Sequence, residues 1–413
     1  MSPADPFAPS LDQLRQRTSE KWRRYPADVL PLWVAEMDVT LAPPVVEALV
    51  AAARTGDLGY PSPARYVEAL ASFAARRWGW ELDVSRAQAV GNVMGGVSAA
   101  VSVLTEPGDT VVVNCPVYPP FYSYVARAGR VVGEAPLSAA GRLDLEALDA
   151  AFAKARERSA HPAYLLCSPH NPTGTLHRPD ELAAVADLAR HHGLRVISDE
   201  IHAPLVLEGT FTPLLSLEAG RDAVALLSAS KAFNLAGAPG AVLVAGPEAG
   251  DLRTRLATRS VPGASHLGVI AQTAALREGD AWLDTVLAQL LARRDHLVER
   301  LATWLPAVHY VPGSATYLAW LDARDLHLTT PLVDTPAALD GLTGPAAWLL
   351  ANARVALSDG AAFGSGGVGH VRLNFATSIE ILDEALTRVA EALNANREPP
   401  GIAAVPQPPH RAR

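Results

Sequence analysis

The stretch AYLLCSPHNPTGTLHRPDELAAVADLARHHGLRVISDEIH, residues 163–202, carries a complete strand–helix–strand unit. Ala163 to Cys167 is a short apolar run that ends at Ser168-Pro169. From Pro179 the spacing turns helical and continues to His192. Proline is tolerated in a first helical turn because its missing N–H has no partner there, and Asp180 and Glu181 favour the positive end of the helix. Gly193 stops the helix, and Arg195 to Ile197 begins a second apolar run. Two β-rich runs joined by a helix of this length imply neighbouring parallel strands, buried on both faces.

The same rhythm extends outward. Thr110 to Asn114, Ala223 to Leu227 and Ala241 to Ala245 read as further strands. Together they predict an α/β protein with a largely parallel sheet. A long helix is expected from Asp280 to Leu305, strands at Ala315 to Leu321 and Val371 to Phe375, and a closing helix at Ile379 to Leu393. This distal part reads as a smaller α+β domain. The expected division is 1–50 as N-terminal arm and part of the small domain, 51–288 as large domain, 289–396 as small domain and 397–413 as disordered tail. The first ten residues also read as disordered.

The totals agree with a folded globular protein: 413 residues, 49% hydrophobic and 19% charged. A net charge of −8 argues against general affinity for nucleic acid or anionic membranes. Two cysteines, Cys115 and Cys167, each close an apolar run and read as buried thiols, since two make no disulfide framework. With no signal-like N-terminus and no long apolar span, the cytoplasm is the expected location.

Ligands in open α/β sheets bind beyond the carboxyl ends of the strands. The runs lead into Cys115-Pro116-Val117-Tyr118, Ser168-Pro169-His170-Asn171-Pro172-Thr173-Gly174, Ser198-Asp199-Glu200-Ile201-His202 and Ser228-Ala229-Ser230-Lys231. An aromatic, an amide, an acid, two hydroxyls and an amine thus converge. Singly, each has a plain structural explanation: turn aromatic, turn initiator, cap, loop lysine. Together they meet the needs of pyridoxal 5'-phosphate. Its aldehyde needs a lysine, its ring nitrogen a carboxylate, and its phosphate a cup of N–H and O–H donors. Gly91 to Val97, a small-residue loop running into a helix at Ser98 to Leu104, is the expected cup.

In this combination the chain resembles the fold-type I pyridoxal-phosphate enzymes, with the aspartate aminotransferase-like fold. The carrying pattern is Asn171-Pro172-x-Gly174, Asp199 with His202, and Ser228-x-x-Lys231. Leu30-Pro31-Leu32-Trp33-Val34-Ala35-Glu36-Met37-Asp38, Gly59-Tyr60, Ala315-Thr316-Tyr317 and Val371-Arg372-Leu373-Asn374 make it most similar to the MalY/PatB branch of cystathionine β-lyases. The resemblance implies that Lys231 forms the Schiff base and moves protons, and that Asp199 pairs with the ring nitrogen. Asn171 and His202 would lie at the ring hydroxyl, and Tyr118 on the ring face. Ser228, Ser230 and the amides of Gly95 and Gly96 would hold the phosphate. Tyr60 would reach the phosphate of a neighbouring subunit in a homodimer with shared active sites. Arg372 would grip the α-carboxylate of an amino-acid substrate, and Trp33 would border it.

The chain departs from that branch at Glu36, where aspartate is usual, at Gly95, where proline is frequent, and in a longer stretch from Thr329 to Pro345. Pro239 also stands where many aminotransferases place a phosphate-binding arginine. The implied reaction is β-elimination of a thiol from a sulfur-bearing L-amino acid. Transamination uses the same residues, and a regulatory protein acting through a partner is a third reading. Gly364-x-Gly366-x-x-Gly369 spells a dinucleotide-binding pattern but runs into a strand, so a loop near Arg372 is expected instead.

Overall fold

The structure, a computed structural model, describes residues 5–250, 252, 255, 263–329 and 341–397. The strands in chain order are β1 (Leu30–Pro31), β2 (Ala87–Val90), β3 (Thr110–Cys115), β4 (Val131–Pro136), β5 (Ala163–Cys167), β6 (Arg195–Asp199), β7 (Val224–Leu227), β8 (Ala241–Ala245), β9 (His309–Tyr310), β10 (Leu318–Asp322), β11 (Val355–Ala356), β12 (Ser358–Asp359) and β13 (His370–Asn374). Seven of them form one sheet in the order β2-β8-β7-β6-β5-β3-β4. From β4 through β7 every pairing is parallel, whereas β8 runs antiparallel to both β7 and β2. The sheet is therefore mixed, with one reversed strand.

Burial on both faces explains the unbroken apolar runs. Val111, Val113, Leu165 and Ile197 enter one core with Val97 and Val101 of the helix Val93–Leu104. The residues between them, Val112, Tyr164, Leu166 and Val196, enter another with Phe152 and Leu182. That alternation is the period-two geometry of a strand. The helix Pro179–His191 buries Leu182, Val185, Ala186 and Ala189, a helical stripe, and Gly193 leaves it at φ 74°.

The distal strands form a second, antiparallel sheet, β12-β13-β10-β9. Helices Asp280–Trp304, Gly344–Ala353 and Ile379–Arg397 accompany it. β1 pairs in parallel with β11, which attaches the N-terminal segment to this smaller unit.

Three expectations need adjusting. The boundary placed at 288 falls inside the continuous 25-residue helix Asp280–Trp304, which joins the two units. Phe7, within the ten residues read as disordered, is 2% exposed beneath the Arg293 guanidinium, 4.0 Å from its ring centre. The glycine stretch read as a loop is helical from Val93, because Asn92 caps the helix there. Most of Thr329 to Pro345, the first four residues and the tail after Arg397 lie outside the described residues. Cys115 and Cys167 are both buried free thiols.

Candidate active site

The carboxyl ends of β3, β5, β6 and β7 open onto one cavity of about 340 Å³. Tyr118, Asn171, Asp199, His202, Ser230, Lys231 and Arg372 all line it, so residues spread over 255 positions of sequence meet at one place. A larger cavity of about 470 Å³ lies between the two units, beside Arg142 and Trp320. Arg142 is paired with Glu181 there and Arg324 with Asp322, so neither of these guanidiniums lacks a counter-charge.

Lys231 follows the turn after β7 and donates from Nζ to the carbonyl of Ala35 at 2.9 Å. Burial, then the positive Arg372, bring its ammonium down to about 8, against the pull of Glu36 and Asp199. Asp199 ends β6, 3% exposed, with Oδ1 accepting from the N–H of Ile201 at 3.1 Å. Burial lifts its carboxyl to about 7. A cationic ring nitrogen beside it would reverse that shift, since an opposite charge favours the ionised form. Glu200, next in the chain, turns away from the cavity and accepts from Ser198 Oγ and the N–H of Leu214, each at 3.0 Å. His202 is held neutral, its pKa pressed to about 3 by burial and by Lys231 and Arg372, and its buried Nδ1 has no partner among the described residues.

Arg372 on β13 faces the cavity from the small unit. Its Nη1 donates to Asn171 Oδ1 at 3.1 Å, and Nη2 donates to the carbonyl of Trp33 at 3.0 Å and to Ser358 Oγ at 3.1 Å. No carboxylate pairs with it among the described residues, Nε is buried without a partner, and burial alone lowers its pKa to about 10. A buried guanidinium without a counter-charge is costly, so the site is built to receive an anion.

The structure relocates several expected donors. The N–H of Gly95 is taken by Asn92 Oδ1 at 2.8 Å, and that of Gly96 by the Asn92 carbonyl at 3.0 Å. The unbonded amides of the first helical turn belong instead to Val93 and Met94, both on the cavity wall. Gly96 is glycine for packing: a Cβ there would overlap Leu226 of β7. Ser228 is buried, shares its proton between the carbonyl of Gly240 at 2.7 Å and Gln272 at 3.1 Å, and does not line the cavity, whereas Ser230 does. The ring of Trp33 packs edge-on against Tyr25, 6.0 Å between centres, so the carbonyl of Trp33 and not its indole serves Arg372. Tyr60 is 100% exposed and is not brought to the cavity of its own chain.

Other contributors were given no role by the sequence. Tyr317 donates to the same Ala35 carbonyl as Lys231, at 3.0 Å. Asn234, in left-handed conformation at φ 56°, clips Met37 by both N–H and carbonyl, and Asn374 donates to the carbonyls of Val34 and Glu36. The buried pair Lys21–Asp38, 2.8 Å apart, closes the hold on this segment. Residues 33–38 thus form a fixed strap beside the cavity, which Val34 and Ala35 line, positioned by contacts that span most of the chain.

A lysine with a lowered pKa, a buried acid, free amides at a helix N-terminus and an unpaired arginine fit pyridoxal phosphate and an amino acid together. The aminotransferase class I and II family model matches residues 27–389. The chain belongs to that family. A protein of Mycobacterium leprae, provisionally named cystathionine beta-lyase, is 54% identical over 93% of this chain and 97% of its own length. The cystathionine beta-lyase of Corynebacterium glutamicum is 36% identical over 93% of this chain and 99% of its own. Among solved structures, pyridoxal-phosphate-containing cystalysin from Treponema denticola superposes with a TM-score of 0.82 at 26% identity, covering 93% of this chain and 98% of that one. The aspartate aminotransferase-like fold and the resemblance to the MalY/PatB branch hold. Among the described residues, no helix is long and apolar enough to cross a membrane.

Proposed function

We propose that this chain is a pyridoxal-phosphate-dependent carbon–sulfur β-lyase, converting cystathionine or a related L-cysteine S-conjugate and one water to pyruvate, ammonia and a thiol. The observation that carries amino-acid chemistry is the cavity shared by Lys231, Asp199 and the unpaired Arg372. The choice of C–S cleavage is supported by the relatives that bear that name over nearly their whole length.

When bound, pyridoxal phosphate supplies an electron sink for charge developing at the substrate's α-carbon. Asp199 would keep the ring nitrogen protonated, and Tyr118 would cover the ring face. Asn171 and His202 would meet the ring hydroxyl, with His202 neutral. The amides of Val93 and Met94, with Ser230, would receive the phosphate. Arg372 would take the substrate carboxylate in a two-point grip. That grip leaves the α-hydrogen for the Lys231 amine, whose pKa of about 8 suits a base near neutral pH. The amine would remove that proton as the Cβ–S bond breaks, and the resulting ammonium would then return a proton to the departing thiolate. Tyr60, wholly exposed, would act on the site of a second copy in a cytoplasmic homodimer.

The test is release of pyruvate and thiol from L-cystathionine by the purified, cofactor-loaded protein, with and without an added keto acid. Equal amounts of both, independent of the keto acid, are expected. Amino-group transfer that requires the keto acid, with no thiol, would make the protein an aminotransferase.

A further inference from the structure

The face of Arg372 rests on Phe363, with the guanidinium 5.1 Å from the ring centre. Phe363 ends the short turn Gly360–Phe363 in the small unit, yet its carbonyl is held from the large one. The N–H of Val117 donates to it at 2.9 Å, and the Tyr122 hydroxyl, whose single proton is shared with Glu134, lies 3.2 Å from it. Beyond it, Glu134 of β4 gathers the same neighbourhood. Its Oε1 accepts from Tyr122 at 2.7 Å and from the N–H of Ser365 at 3.2 Å, and its Oε2 accepts from the Ser365 hydroxyl. Gly364 lies between these residues at φ 89°, and a Cβ there would overlap both Tyr122 Oη and Glu134 Oε1. Glycine is therefore required for the carboxylate to come so close.

From this geometry we infer that Glu134 is a positioning residue for the substrate carboxylate: by tying Ser365 and Tyr122 together, it holds Phe363 against Arg372 and aims the guanidinium into the cavity. Three features point to this role. β4 is an edge strand of the large sheet, so its side chain can reach across the seam. All three groups that Glu134 accepts from bear on the turn that carries Phe363, two of them from Ser365 itself. The third, Tyr122, sits four residues after Tyr118, on the helix Pro120–Arg127 that opens beside the cavity. Glu134 touches neither the cavity nor Arg372, so it acts through Phe363. A charge-assisted contact is stronger than a neutral one, and its loss lets the aromatic face drift from the cation it covers.

The inference rests on the amino-acid reading of the site, and its test separates the two. Glu134→Ala holoenzyme should show a KM for the turned-over amino acid raised by roughly tenfold, with kcat within about twofold of wild type. The dissociation constant of propionate, a carboxylate without an amine, should rise by the same factor in calorimetric titration. That binding is measurable whether the reaction is elimination or transamination. Ser365→Ala, which removes one donor and keeps the backbone contact, should move both constants in the same direction by less. The double variant should match Glu134→Ala alone, because both break one contact. Folded, cofactor-loaded variants with unchanged KM and unchanged propionate binding would overturn the inference. So would a fall in kcat at constant KM, or a loss of cofactor that tracks the loss of activity.

Discussion

At the scale of single residues, the site follows from a few groups placed where their charge is uncomfortable. Arg372 keeps three neutral acceptors and, among the described residues, no carboxylate, which is a sound arrangement only if an anion arrives. Arg372→Lys keeps the charge but loses the planar fork that holds Asn171, Trp33 and a carboxylate together. Its KM for the amino acid should rise by roughly thirtyfold, about 2 kcal/mol, with the cofactor absorbance retained; an unchanged KM would remove Arg372 from the carboxylate site. Lys231 gives a second expectation. Its pKa is lowered to about 8, so the fraction of free amine grows as pH rises toward that value and saturates above it. Capture of pyridoxal phosphate by the apoprotein should accelerate roughly tenfold per pH unit below the transition and level off above it. Stopped-flow absorbance checks this, and a flat profile from pH 6 to 9 would contradict it. That Lys231, Asp199, Asn171 and Tyr118 share one cavity was legible in the sequence because strand ends announce themselves locally, whereas Arg372, in the middle of β13, came only from the resemblance. The roles of Tyr317, Asn234 and Asn374 were not legible, since each acts through a carbonyl or N–H of residues 34–37 that lies about two hundred positions or more away.

At the scale of elements, the helix Val93–Leu104 shows where pattern reading stops short. Small residues at 95 and 96 resemble a loop, but glycine is also what a helix uses where it must lie against a strand. Asn92 caps the helix three positions before the first of them, so the amides that remain free are those of Val93 and Met94. The two glycines can be told apart by one experiment. Gly96→Ala puts a methyl into the fully buried Leu226 of β7 and should destabilise the protein by about 1–3 kcal/mol. Because β7 leads directly into the turn that carries Lys231, cofactor affinity should fall as well. Gly95→Ala meets only Asn92 Oδ1 at 3.5 Å, an ordinary contact, and replaces the poorer helix former. It should leave the midpoint of urea unfolding unchanged or slightly raised. Equal losses in both variants would mean that position 95 is as crowded as position 96. The strands β2 and β4 escaped the sequence reading for a related reason. They lie at the two edges of the sheet and are only partly buried, so they lack the continuous apolar runs that marked β3, β5, β7 and β8.

At the scale of the whole molecule, strands after the long helix were legible from the change in pattern, and they belong to a separate antiparallel sheet, but no break in composition marks the helix that leads to it. Phe7 was equally hidden, because its cover comes from Arg293, far along the chain. What the fold leaves uncovered is as informative. Val46 and Val50 on the helix Pro43–Thr55, Leu58, Tyr60 and Leu267 are all exposed, and the helix His266–Glu278 that carries Leu267 packs beside Pro43–Thr55. This is an apolar surface of the kind that a second copy covers. If Tyr60 reaches across it to the partner's phosphate, Lys231 and Tyr60 serve different sites. Lys231→Ala and Tyr60→Ala homodimers should then each be impaired. Unfolded together and refolded in equal amounts, they should recover about a quarter of wild-type activity, because half the dimers are mixed and each mixed dimer holds one intact site. Activity no higher than the mean of the two parents would mean that Tyr60 acts within its own chain or not at all. A monomer by sedimentation would leave the exposed face without its partner and remove the shared site altogether.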